Sequence, residues 1–199
     1  MKRNYLIDAI GILLIFFSTL SMLAITKYGY PEYFFWASNH IPILIGFAIL
    51  FRSSFLLTAE ISLIVVAELG WSLDFLSKLL FNFHIFGSTA YMFNPTYPAP
   101  LYWEGMQHLI ILPLSLTALF MIKKSEPNAW KLALTHGLII VIISFLISSS
   151  FNLNCIHKSC ISWIPTFSFY SLLFPLIYFA FCVLPVNYLF VKIIGTKKH

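Results

Sequence analysis

Four ionisable side chains, His40, Asp74, Glu104 and His108, fall inside or at the ends of apolar stretches expected to meet at one membrane face. An ionisable group in hydrocarbon is costly, so it tends to face the bundle interior, a partner or a water-filled cavity. Glu104 and His108 are four residues apart, a spacing that stacks two side chains on one helical face. A carboxylate that accepts an imidazole N–H fixes the tautomer and raises the basicity of the ring, the usual construction of a general base. His108 is therefore the expected base, oriented by Glu104. Asp74 and His40 are placed to position a substrate or a water, with Ser38 as the nucleophile of a covalent reaction. Trp71, Asn39, Asn152 and Asn154 would contact the substrate. His40, Asp74 and His108 would also serve as ligands in a metal-assisted version with water as nucleophile. His40 and His108, on different helices, also allow a two-histidine haem, so the cofactor stays open.

A second constellation lies on the third apolar stretch, which carries Glu60, Glu68 and Asp74. At about 100° per residue, Glu68 lies roughly 80° one way from Glu60 and Asp74 roughly 40° the other. The three acids share one polar stripe, and such a stripe does not face lipid. Its readings are a proton or cation path, or helix–helix hydrogen bonding through protonated carboxyls. His136 in the fifth stretch is expected to stand apart from the outer cluster and to serve packing, and Asp8 to pair with a nearby base.

The elements that must hold these residues are membrane helices. The 199-residue chain is 60% hydrophobic and 10% charged, against about 25% charged in ordinary soluble domains, and its mean hydropathy is +0.88. Six apolar stretches, near 5–25, 33–51, 55–80, 101–122, 129–150 and 166–194, have the roughly 20-residue length that crosses a hydrocarbon core. They leave no room for a soluble domain. The expected fold is an all-α polytopic bundle of about six transmembrane helices, folded as one membrane domain.

The first stretch follows Lys2 and Arg3 but lacks a small-residue cleavage pattern near Ala24, and is read as a retained helix. Nine of the twelve basic residues (Lys2, Arg3, Arg52, Lys123, Lys124, Lys131, Lys192, Lys197 and Lys198) fall on one side of the six-span arrangement. Lys27, Lys78 and Lys158 fall on the other. Basic residues gather in cytoplasmic loops, so both termini are expected in the cytoplasm. The charge of +5 reflects this topology and gives no reason to invoke nucleic acid.

The outer connections carry the most character. Residues 81–100 are nearly uncharged and aromatic, hold His84, and contain Pro95, Pro98 and Pro100, which interrupt any regular helix. Residues 151–165 contain Cys155 and Cys160, which an oxidising compartment could join or leave as two thiols. No nucleotide-binding glycine pattern, HExxH or CxxC is present.

The residues from Glu104 to Cys155 resemble a superfamily of small multi-span membrane proteins. It includes the androgen-induced-type fatty-acid ester hydrolases and bacterial integral membrane proteins similar to their acyltransferase relatives. The matching features are His108 early in a span, Leu109-Ile110-Ile111, the basic turn Lys123-Lys124, Trp130-Lys131, and Asn152-x-Asn154 after the next span. About a quarter of the chain is covered. The resemblance implies ester hydrolysis or acyl transfer on a membrane lipid, with the histidine working beside a Thr or Cys nucleophile from an earlier helix. Here that helix reads Asn39-His40-Ile41-Pro42, with Ser38 adjacent. The rival readings are a small proton-coupled transporter using Glu60, Glu68 and Asp74, which at this size would assemble as a homo-oligomer, and a non-catalytic assembly partner.

Overall fold

A computed structural model describes residues 4–147 and 149–195, without the side chains of 99, 100, 103 and 104. Lys2, Arg3, Lys197 and Lys198, counted in the charge bias, lie outside the described residues, as does the side chain of Glu104. The described chain is an all-α bundle in which no residue is in a strand. Its helices are α1 (Tyr5–Lys27), α2 (Ala37–Leu50), α3 (Ser54–Phe81), α4 (Ala99–Met106), α5 (His108–Ile122), α6 (Ala129–Leu146), α7 (Tyr170–Tyr178) and α8 (Leu184–Ile194). A widened turn, Phe179–Val183, joins α7 to α8. Pro185 lies just beyond it and cannot donate to the carbonyl one turn back, a common setting for such a bulge.

Four helical runs are long and apolar enough to cross a bilayer: Tyr5–Lys27, Ser54–Phe81, Ala129–Leu146 and Tyr170–Ile194. The chain is a membrane protein on this pattern. The other two expected spans differ from a plain rod. Helix α2 has 14 residues, about 21 Å of rise, short of the roughly 30 Å core; a short 3-10 turn, Pro31–Phe35, precedes it. The stretch at 101–122 is broken at Gln107 into α4 and α5.

Capping explains where the elements stop. The Asn4 side chain accepts from the Leu6 amide at the start of α1, and Ser53 does the same for Leu56 at the start of α3. Asn82 (φ 59°) and Lys123 (φ 54°) end α3 and α5 in the left-handed region. Arg52 closes the tight α2–α3 turn: its guanidinium reaches Asp8 of α1 at 2.8 Å and donates to the Ile49 carbonyl. The expected Asp8–base pair is thus present.

Helix α3 is the most buried of the four long runs and packs against α2, α5, α6 and the final α7–α8 run. Ile41, Ile45 and Ile49 of α2 meet Leu57, Ile61 and Ile64 of α3, with Ala118, Leu119, Ala129 and Ala133 completing the core. Helices α1 and α2 cross at Gly11 and Gly46. A Cβ on Gly46 would stand 2.7 Å from the Gly11 carbonyl oxygen and 2.5 Å from Ile15 Cγ1, so only glycine admits this approach. Outward-facing Phe16, Leu146 and Phe181 are more than half exposed, while acids are buried within. That inversion is what hydrocarbon demands.

Candidate functional site: three carboxylate–imidazole pairs on one helix

Each acid of α3 is almost completely buried: Glu60 is 1% exposed, Glu68 2% and Asp74 0%. Each also meets a histidine from a different segment. Glu60 Oε2 lies 2.8 Å from His136 Nδ1 of α6. Glu68 Oε2 lies 2.8 Å from His108 Nδ1 at the start of α5. Asp74 Oδ2 lies 3.1 Å from His84 Nδ1 in the loop after α3. The acids follow one another at about 12 Å and 9 Å along the helix axis. Such a column needs α3 at the bundle centre, since only there does one helix offer its faces to α5, α6 and the outer loop.

The three pairs are wired differently. Asp74 is saturated. It accepts from the Phe86, Gly87 and Thr89 amides at 2.6, 3.0 and 2.8 Å, and from the Thr89 hydroxyl at 2.6 Å. Ser88 Oγ stands 3.4 Å away. Consecutive amides converging on one carboxylate form an anion-holding nest. Gly87 is required there: its φ is +78°, and a Cβ would stand 2.9 Å from Ser162 Oγ. The Ser162 amide donates to the Phe86 carbonyl, so the nest also joins the two outer loops.

Glu68 and His108 form the second pair. The His108 ring stacks on Trp71, 4.2 Å between centroids and 17° from parallel, which fixes the imidazole plane. Glu60 accepts only from His136 among the described residues, and the His136 ring meets His40 edge-on at 5.4 Å. An imidazole whose Nδ1–H donates to a carboxylate presents its other nitrogen as an acceptor.

These contacts redraw the expected outer cluster. Asp74 spends its oxygens on backbone and hydroxyl donors of residues 84–89 and does not turn toward a substrate. His40 belongs with His136 and Glu60, not with Asp74, because the short α2 carries it deep into the bundle. His136 is accordingly not an isolated packing residue. The described carboxylate partner of His108 is Glu68 from α3, whereas its expected orienting residue, Glu104, has no described side chain. Among the described residues no group of three His, Cys, Asp or Glu side chains is placed to hold a metal ion, so the set His40, Asp74 and His108 does not assemble.

The expected substrate contacts are tied up in the scaffold. Asn39 is buried, donates to the Tyr33 carbonyl and accepts from Gln107 Nε2 at 2.6 Å, linking α2 to the α4–α5 break. Asn154 Oδ1 accepts from the Ala37 amide, capping α2 from a distant loop, and its Nδ2 donates to Phe35 and Ser144. Asn152 Oδ1 accepts from the amides of His157 and Lys158 inside the loop closed by the Cys155–Cys160 disulfide. Ser38 is half-buried in the first turn of α2, and Trp71 donates to the Tyr91 hydroxyl at 3.1 Å. Sequence reasoning missed His84 and Thr89 as partners of Asp74. Their signal was a histidine ten residues after a buried acid, across a turn that folds back.

Comparison of the chain with family models, curated proteins and solved structures gives no match.

Proposed function

We propose that the protein moves protons within the bilayer, with α3 as a relay helix in a proton-coupled membrane protein. The observation that carries this reading is that Glu60 and Glu68 are buried and each meets an imidazole from another helix. A carboxylate and an imidazole in contact exchange a proton without leaving an isolated charge in hydrocarbon. Buried hydroxyls of Thr58, Ser62 and Ser115, without hydrogen-bond partners among the described residues, lie at the depth of the Glu60 pair and supply polar sites along the route. The outer Asp74 nest anchors the upper end. Both termini are assigned to the cytoplasm in this scheme, on the strength of the basic-residue bias, and α2 with the α4–α5 run is assigned to the membrane alongside the four long runs.

Proteoliposomes loaded with a pH-sensitive dye test the reading. Under an imposed potential, the wild-type chain should acidify or alkalinise the lumen at least tenfold faster than empty vesicles. Glu60→Gln should return the rate to the vesicle background. A wild-type rate equal to that of empty vesicles sinks the relay.

One observation favours a second reading, in line with the resemblance to lipid ester hydrolases. The Glu68-bound, Trp71-stacked His108 has the orientation of a general base, with Glu68 in the part first assigned to Glu104. In this version the protein cleaves or transfers an acyl group of a membrane lipid, with Ser38 as the nucleophile. A fluorophosphonate probe that labels Ser38, and fails to do so in His108→Ala, would favour it over the relay.

A further inference from the structure

Beside the Glu60–His136 pair lies a cavity of about 190 Å³, walled by Phe34, Phe35, Ile139 and Ile143 with His40 and His136. Phe34 and Ile139 are exposed on the outside of the bundle, so the mouth opens sideways into lipid. His136 lies seven residues into α6, about 10 Å from its start, within the hydrocarbon. A ligand reaches it only by lateral diffusion in the bilayer. A phospholipid headgroup does not travel to that depth, because its charges would have to leave water.

The size narrows the ligand further. Pockets that enclose a whole drug-sized molecule hold roughly 300–1,000 Å³. This one accommodates a small head, with the tail left among the lipid chains. The chemistry of the floor selects that head. With its Nδ1–H given to Glu60, His136 offers a lone pair that accepts from an O–H. His40, edge-on to it at 5.4 Å, has its Nδ1 buried and supplies an N–H to the cavity in its Nε2–H tautomer. One donor and one acceptor side by side match an undissociated carboxyl group, which carries a hydroxyl and a carbonyl on one carbon. A carboxyl spreads its donor and its acceptor over two oxygens, which suits two rings 5.4 Å apart; an alcohol must donate and accept at one oxygen that reaches both.

We infer that this cavity binds the protonated head of a single-chain fatty acid from the bilayer. The inference rests on the Glu60–His136 geometry that the relay also uses. It adds a ligand, delivered sideways, that brings a proton to the same imidazole.

The test is photolabelling of the purified full-length chain in nanodiscs with a diazirine palmitate. Label should be recovered on Phe34–Phe35 and on residues 139–143. Unlabelled palmitic acid should compete at least tenfold better than hexadecanol, and phosphatidylcholine should not compete. Ile139→Trp fills the mouth and leaves both histidines and Glu60 untouched; it should cut labelling at least fivefold while keeping wild-type proton flux in vesicles free of fatty acid. Label spread evenly over the outer helices, labelling indifferent to Ile139→Trp, or equal competition by hexadecanol overturns the inference. Flux without site-specific label removes the fatty acid alone, and site-specific label without flux removes the relay alone.

Discussion

Asp74 and Glu68 sit six residues apart on the same helix, both buried and both beside a histidine, yet their other neighbours differ. Asp74 receives three amides and a hydroxyl besides His84. Six residues further into the bilayer, Glu68 has an imidazole as its described partner. Donors that cannot give up a proton hold a carboxylate ionised. An imidazole partner is itself a group that gains and loses a proton. In the proposed relay, an acidic residue is a rivet where a loop wraps it and an acid–base group where a second helix meets it. The difference lies in the neighbours, which belong to the outer loop in one case and to α5 in the other.

Removing the rivet should have the largest effect. In Asp74→Asn the side-chain amide turns an N–H toward donors that need an acceptor, leaving buried backbone groups unpaired. A loss of about 3–5 kcal/mol is expected, as when a buried charged partnership is broken. It should be seen as a large drop in the denaturation midpoint in mild detergent, together with proteolytic cutting within residues 82–98. A midpoint equal to wild type would mean that the nest is ornamental and that Asp74 is as free as Glu68.

The contrast also shows what a single sequence holds. The long apolar runs and the stripe of acids on the third were legible, because composition and a 100° step depend on one helix at a time. That Asp8 pairs with some base at its boundary was legible for a similar reason; that the base is Arg52 was not. Helix partners were not. That His108 meets Glu68 across the bundle depends on the order of helices around α3, and hydropathy is silent on that. Helix α2 misled in another way. Its apolar run looked long enough to leave His40 at the outer surface, but Pro31 and the 3-10 turn after it shorten the helix and set His40 beside His136. Asn154 looked like a site residue because it is polar at a membrane boundary. Its contacts are to Ala37, Phe35 and Ser144, and capping across 117 residues has no local signature.

A smaller perturbation asks whether the outer cap is a unit. Cys155 and Cys160 close a short loop, and for such a loop the chain-entropy estimate is about 2 kcal/mol. Replacing both with Ser should lower the denaturation midpoint by less than Asp74→Asn does. It should also loosen the Asn152-centred turn, measured as faster hydrogen exchange at the amides of His157 and Lys158. If the exchange stays unchanged, Asn152 alone organises the turn and the disulfide is dispensable.

The smallest structural effect, and the sharpest separation, is expected at Glu68. In Glu68→Gln the side-chain carbonyl still accepts the His108 N–H, and a buried charge disappears, so the change in stability should stay within about 1 kcal/mol. The proton chemistry should not survive it, because an amide cannot take up the proton that a carboxylate can. Infrared difference spectra across a pH step should show a protonated-carboxyl band in the wild type that is diminished in Glu68→Gln and retained in Asp74→Glu if that variant folds. Loss of stability in Glu68→Gln as large as in Asp74→Asn would erase the distinction, making Glu68 a second rivet and its imidazole a packing partner. A folded Glu68→Gln that has lost the band keeps the two acids in separate roles, and it does so through neighbours alone, since both lie on the same buried helix.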